Sequence, residues 1–514
     1  MTFVVGDNIS RDRFSIRIPN VALTDDNRLL IDRTIQHFAN RWRNVNCPKE
    51  KERAFYEHFV NLCSARISEI LPVPKDFSIS IFSRILGEGC GDLCFGIETL
   101  DFLKESFSIA EVQMLVPGEN YDKAQALAPA HLSPFIHSVD LYSKSQPLIE
   151  TDILITESPI IESLKRLFIK TPDMLRYSEY GCANLPEEES ESMGCGVASW
   201  ECGIQLSEKL RERAQIFRQG NRKGPLLDIQ FKDQELYQLL LQGRDLDIYN
   251  EEACLYFGYA SRYEKISDER APVVVPDDSD LGDDSFWLKE NEEFERSYFD
   301  MFARIVLGIE SENTKNVDIV LVGCVEESLY DFLNFMRELS FIYNIDTMEI
   351  INSEGLLVEK IDNGLSDGKN VRIILRDFLE RSVFVAVMMA SEDFTCVTGD
   401  MSFSEAISMD KLFLYQIMTW KEDHFKNYLN LIAELFPDER EPIRLYMAGI
   451  MMIFKGQVNC DEIYNGYIQS FAFLIKTSRL QEQMKILYNH LFEFYSFRDH
   501  LIGRIKGLLC SRKC

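Results

Sequence analysis

The chain is short of positive charge: 55 Lys and Arg stand against 83 Asp and Glu among 514 residues, a net charge of −28. With a pI near 4.8, it has no general basic surface for phosphate. This argues against broad affinity for nucleic acid or anionic lipid, so an anionic ligand needs a local device to hold it. No run of 18 apolar residues is present to span a bilayer, and the N-terminal MTFVVGDNISRDRF lacks the basic flank and apolar stretch of a signal peptide. The expectation is a chain without a membrane span, cytoplasmic, or delivered into a host cytosol if it is a secreted bacterial protein. The densest cysteine group, Cys182, Cys195 and Cys202, has no C-x-x-C pair and no nearby histidine, which is poor spacing for zinc. A D-x-D after an apolar strand is also missing, so no metal site and no cofactor are expected. No fixed-period repeat is visible, and the terminal CSRKC does not place a cysteine four residues from the end, as prenylation requires.

What is present fits a packed globular chain, 46% hydrophobic and 11% aromatic, too long for one ordinary core. The 13 cysteines, among them Cys63, Cys254, Cys324 and Cys396, sit among apolar neighbours, as buried free thiols do. Residues 1–76 carry helical spacing in NRLLIDRTIQHFANRW and KERAFYEHFVNLCSARISEIL and read as an N-terminal helical extension. From 77 the period changes to strands alternating with helices: SISIFSRIL, then LCFGIETLDFLKES, then SIAEVQMLV and DILITES. A Rossmann-like domain is therefore expected over 77–245, with 183–225 mostly loop. A second such domain is expected over 246–420, from ACLYFGYAS through VDIVLVG, EESLYDFLNFMREL, VRIILR and FTCVTG to LFLYQIM, interrupted by an acidic insertion at 267–298. Residues 421–514 read as helical. The fold class is thus α/β, with two doubly wound domains whose strand carboxyl ends face a cleft, where ligands of such sheets bind.

Two turns draw attention. In 394-FTCVTGDMSFSEAI, a strand runs into Gly399 and Asp400 before a short helix. Ser402 and Glu405 match a capping box, and the same helix start can present amides and a positive dipole end to a diphosphate, approached past Gly399. In 87-GEGCGD, glycines at 87, 89 and 91 permit a tight turn, flanked by Glu88 and Asp92. Asp stands where a dinucleotide fingerprint needs Gly or Ala. A carboxylate pair there suits proton abstraction from an acceptor, and a solvated acidic turn is the alternative. His137 and His424 have no nucleophile motif beside them, and the basic RQGNRKG at 218–224 is either a phosphate contact or a solvated loop.

These residues resemble a known family. The stretch 88-EGCGDLCFGIETLDFL is similar to the D-N-x-G-D-I start of the protein-arginine rhamnosyltransferases that modify elongation factor P. The 394-FTCVTGDMSFSEAI stretch resembles that family's N-F-V-R-G-E-D-S-F-V-R-A, and YSEYGCANLPEE and 255-LYFGYAS resemble two further segments, with order and spacing agreeing over roughly 80–415. The resemblance implies a GT-B glycosyltransferase acting by inversion, without metal, on a nucleotide-diphosphate sugar. By position, Glu88, Asp92 and Asp400 match the family's acids, with Asp92 as general base. Ser402 matches its diphosphate-binding serine and Tyr259 its strand tyrosine, and Gly91, Gly399, Met401 and Phe403 fall at the neighbouring donor-contacting positions. Thr398 stands where the family has Arg, and Met401 where it has Asp, so neither rhamnose nor arginine is carried over. The expected partners are a nucleotide-sugar and a protein acceptor, whose basic character would suit the chain's acidity. The competing reading is a non-catalytic protein-binding scaffold on a degenerate form of the same fold.

Overall fold

The computed structural model describes residues 2–4, 15–17, 25–44, 52–66, 77–85, 91–108, 110–143, 148–156, 162–178, 192–198, 201–218, 223–242, 246–260, 297–323, 342–365, 368–418, 421–454 and 461–511. The chain divides into two units, one of Met1–Leu206, Thr419–Leu435 and Leu487–Cys514, the other of Ser207–Met418 and Phe436–Ile486.

In the first unit, β1 (Thr2–Val4) and β2 (Ser15–Arg17) form a small antiparallel pair. The main sheet contains β3 (Ser78–Phe82), β4 (Glu111–Pro117), β5 (Ile136–Val139), β6 (Ile153–Thr156), β7 (Asp173–Ser178) and β8 (Ser192–Gly194). Their order is β5-β4-β3-β6-β7-β8, with every pairing parallel. This is the doubly wound order in which the chain builds outward on one side of its first strand and then returns to the other, leaving a switch point between β3 and β6. SISIF is buried at every position, as expected of a parallel strand covered on both faces. The helix Gly91–Ser106 lies close against the sheet because Gly96 has no side chain: a Cβ there would sit 2.7 Å from the Met114 methyl and 2.9 Å from Ser83 Cβ. Helices Asp25–Asn44 and Glu52–Arg66 share a core of Phe38, Phe55, Phe59, Leu62 and Cys63.

The second unit holds β9 (Ala253–Tyr259), β10 (Asn316–Val322), β11 (Ile345–Ile351), β12 (Leu357–Asp362), β13 (Lys369–Arg376), β14 (Phe394–Thr398) and β15 (Leu412–Gln416), in the order β12-β11-β13-β10-β9-β14-β15. All pairings are parallel except that of β12. β12 is an exposed edge strand whose Glu359, Lys360 and Asp362 discourage further pairing. The switch point of this sheet falls between β9 and β14.

Two α/β, Rossmann-like sheets are therefore present. The division between units falls at 206/207, where helices Glu208–Arg218 and Lys223–Lys232 pack on helices Asp400–Ser408 and Arg381–Ala390 of the second unit. Helix Glu208–Arg218 and strand β8 also replace part of the loop expected over 183–225. The C-terminal helices are divided between the units, 419–435 and 487–514 in the first and 436–486 in the second. Most of the expected acidic insertion, residues 267–296, and the EESLYDFLNFMREL helix lie outside the described residues.

Candidate functional site

At the switch point of the second sheet, β14 ends at Thr398 and the chain turns through Gly399 with φ 73° and ψ 171°. That combination belongs almost entirely to glycine. Nothing lies within 4 Å of the point a Cβ would occupy, so the turn faces open space. Helix Asp400–Ser408 follows, with Gly399 as its N-cap, and its hydrogen-bond ladder opens with Phe403 N–H to Gly399 O at 3.3 Å. The amides of Met401 and Ser402 precede that ladder and point out of the helix start, where the dipole is positive.

The expected capping box is not formed. Ser402 is the third residue of the helix, and its buried hydroxyl donates back to the Thr398 carbonyl. Glu405, also buried, forms an ion pair with Arg381 at the start of helix Arg381–Ala390. Glycine takes the cap position, and the two residues that could have closed the box are held elsewhere. Phe403 is fully buried, with ring centroids 5.2 Å from Phe413 and 4.9 Å from Tyr415, so its side chain belongs to the core. Gly399, Asp400 and Met401 are half-buried at the turn. Tyr259, the last residue of β9, is half-buried one step beyond the Gly258–Cys396 pairing. Its ring meets Phe384 edge to face at 5.2 Å. The second sheet thus brings Tyr259 and Gly399–Ser402 to the ends of adjacent strands.

Asp92 and Gly91 belong to the first unit. Asp92 is the second residue of helix Gly91–Ser106, half-buried, just past the end of β3 at the β3/β6 switch. The buried Ser83 hydroxyl donates to the Asp92 carbonyl at 2.7 Å, fixing the first turn of the helix to the strand. Gly91 is exposed, with nothing within 4 Å of its Cβ position. Glu88 lies outside the described residues.

The histidines singled out by sequence are not brought to these turns. His137 is exposed on β5. His424 is fully buried in helix Glu422–Leu435, where burial, and then the Lys421 charge, pushes its pKa down to about 3. Arg218 of the basic stretch braces the far end of the candidate helix. It donates to Met409 O at 2.7 Å and Asp410 O at 2.9 Å, and pairs with Asp393 at 3.2 Å and Asp410 at 3.4 Å. A cation at that end complements the negative pole of the helix. Sequence reasoning missed Arg218 in this role, the Arg381–Glu405 pair and the close packing at Gly96; of the three, only the basic cluster left a local sign. Cys63, Cys254 and Cys396 are buried free thiols, and Cys195 and Cys202 are buried with their sulfurs 3.7 Å apart. Among the described residues no group of three or more His, Cys, Asp or Glu is arranged to hold a metal, and no helix is long and apolar enough to cross a membrane.

No protein family matches the chain, and no curated protein does. Among solved structures it is similar to EarP, in work on arginine glycosylation of translation elongation factor EF-P: TM-score 0.38, 13% identity, 81% of this chain and 94% of that one. It is similar to an alpha-glucosyltransferase in complex with UDP and DNA containing an HMU base: TM-score 0.35, 12% identity, 81% and 100%. A third is the E. coli heptosyltransferase WaaC with ADP-2-deoxy-2-fluoro heptose: TM-score 0.27, 9% identity, 66% and 88%. At these values the likenesses carry no argument of their own, and the fold assignment rests on the strand orders above.

Proposed function

We propose that the protein is a GT-B glycosyltransferase that moves a sugar from a nucleotide-diphosphate donor to a protein side chain, with inversion and without a metal. The observation that carries this reading is the glycine-capped start of helix Asp400–Ser408 at a sheet switch point. There, open space at Gly399 and the outward amides of Met401 and Ser402 suit a diphosphate. The leaving diphosphate gains charge as the glycosidic bond breaks, and preorganised amides stabilise that charge without reorganising. Tyr259, at the end of the adjacent strand, supplies an aromatic edge for the nucleoside. Asp92 of the first unit takes the proton from the acceptor nucleophile as it attacks the anomeric carbon, and Ser83 holds the backbone of that turn in place. Glu88 and Asp400 are assigned to orienting the acceptor and the sugar. A cationic acceptor side chain suits a carboxylate partner, since charge-assisted hydrogen bonds are the strong ones.

A second reading has a specific observation in its favour. The Ser402 hydroxyl spends its proton on Thr398 O, and Thr398 and Met401 replace the charged residues of the resembled family, as a binding scaffold that has lost its chemistry would show. Transfer assays separate the two readings. A panel of UDP-, GDP- and dTDP-sugars is offered with basic acceptor peptides, and product is followed by mass. Transfer by the wild-type chain that fails in Asp92→Asn supports the enzyme, whereas the absence of both transfer and calorimetrically detectable binding for every donor in the panel supports the scaffold.

A further inference from the structure

Four of the seven histidines, His37, His58, His490 and His500, gather in the first unit where helices Asp25–Asn44 and Glu52–Arg66 meet Phe497–Ser511 and the end of Ser478–Phe494. Gly503 allows the approach, since a side chain there would run into the Asn61 carbonyl. His58 and His500 are fully buried, stacked with centroids 5.3 Å apart. His58 Nδ1 faces His500 Nδ1 at 3.1 Å, His58 Nε2 faces Phe494 O at 3.3 Å, and His500 Nε2 faces Asn61 Nδ2 at 3.4 Å.

These contacts fix the protons. A carbonyl only accepts, so His58 carries its proton on Nε2 and accepts at Nδ1. His500 must then donate from Nδ1 and accept at Nε2 from the Asn61 amide. Every ring nitrogen is used only while both imidazoles are neutral. A proton added to His58 sets two N–H groups against each other. One added to His500 makes Nε2 a donor, met only by turning the Asn61 amide over, and leaves a buried cation near Arg504.

The surroundings give a new positive charge little relief. Arg504, on the helix of His500, pairs with Glu57 on the helix of His58 at 2.9 Å. From helix Asp25–Asn44, buried Arg41 pairs with Glu434 of helix Glu422–Leu435 at 3.1 Å, and His37 stacks on Phe494 at 4.1 Å. From helix Ser478–Phe494 come His490 and Glu493, the latter 3.9 Å from Arg33. β7 contributes Tyr177, edge-on to the His500 ring.

We infer that this relay is a pH-sensitive clasp: neutral imidazoles hold the N-terminal helix pair on the C-terminal helix, and acidification opens that interface ahead of the sheets. Burial first, then His58 and Arg504, pushes His500 well below the usual histidine range. Burial and then Arg41 bring His490 down to about 4. Once opened, these rings titrate near 6.5. The open form then binds more protons than the closed one, and each proton favours opening about tenfold per pH unit as pH falls below 6.5.

The test uses the full chain. Hydrogen exchange, corrected for intrinsic rates, is read at pH 7.5, 6 and 5 on peptides from 52–66 and 497–511 and on peptides from 78–82 and 394–398. The helices are expected to lose about tenfold or more in protection between pH 6 and 5 and to exchange ahead of the strands at each pH. His500→Gln keeps a donor and an acceptor in place but cannot titrate, so its helices should lose about one factor of ten less per pH unit. In the wild-type chain, imidazole ¹⁵N spectra at pH 7.5 should show His58 protonated on Nε2 and His500 on Nδ1. Equal helix protection at pH 5 and 7.5, the opposite tautomers, or an unchanged slope in His500→Gln would each overturn the clasp. Should the variant not fold, the two wild-type measurements decide.

Discussion

Replacing Gly399 by alanine separates a turn that merely starts a helix from one that receives a ligand. At φ 73° and ψ 171° an L-residue is strained by about 1–3 kcal/mol. Because no atom lies within 4 Å of the new Cβ, no clash adds to this. Urea denaturation of Gly399→Ala should therefore show a loss of about 1–3 kcal/mol with an unchanged m-value. The methyl also enters the open space assigned to the diphosphate. Nucleotide affinity per folded molecule should fall at least about tenfold, or about 1.4 kcal/mol, beyond the stability effect. Calorimetric titration of folded variant and wild type with the same nucleotide-sugar reads that difference. A variant that is destabilised as stated yet binds the nucleotide with wild-type affinity refutes the assignment of this turn to the donor.

The remaining predictions follow the same geometry. Asp92→Asn should lower turnover about 10²–10⁴-fold with donor affinity retained; more than about a tenth of wild-type turnover removes it as base. Ser402→Ala should cost about 1 kcal/mol of stability through the lost bond to Thr398 O and leave nucleotide affinity nearly unchanged, because the amide makes the contact; a large affinity loss would show the hydroxyl turning to the ligand. Arg218→Ala removes charged donors from the end of helix Asp400–Ser408 and should cost about 1.5–3 kcal/mol, read by thermal unfolding. His424 and His490, held down to about 3 and about 4, are neutral when folded and protonate near 6.5 when unfolded. Unfolding free energy should thus fall by about 1.4 kcal/mol per pH unit for each as pH drops from 6.5 toward 4; a flat profile over that range contradicts their burial.

The central strands were legible because a strand covered on both faces is mostly apolar, and SISIF, NVDIVLV and LFLYQ are rich in Ile, Val, Leu and Phe despite the serines, Asp318 and Gln416 among them. DMLRYS in β7 and LVEKID in β12 were not singled out, because polar and edge strands mix charge with apolar residues and hide the run. Helix Glu208–Arg218 hid behind its Glu- and Gly-rich surroundings. The unit boundary at 206/207 depends on which neighbours those helices pack against, and local spacing holds no record of that choice. At the candidate site, the strand–glycine–helix pattern marked Gly399 and the strand–turn–helix pattern marked Asp92. The fate of Ser402 and Glu405 was not legible: the capping-box spacing was present, but Arg381, 24 residues away, claimed the glutamate. Arg218 reaches Met409 across 191 residues, a contact set by the fold.

The central claim is that the second unit binds a nucleotide-diphosphate sugar, and thermal unfolding of the wild-type chain against UDP-, GDP- and dTDP-sugars tests it most directly. A ligand bound only by the folded state stabilises it by about 2.7 kcal/mol at 100 times its Kd. The account predicts that at least one of these donors raises the midpoint in a concentration-dependent way, and that the shift shrinks in Gly399→Ala. A midpoint unmoved by every donor at millimolar concentration would contradict it.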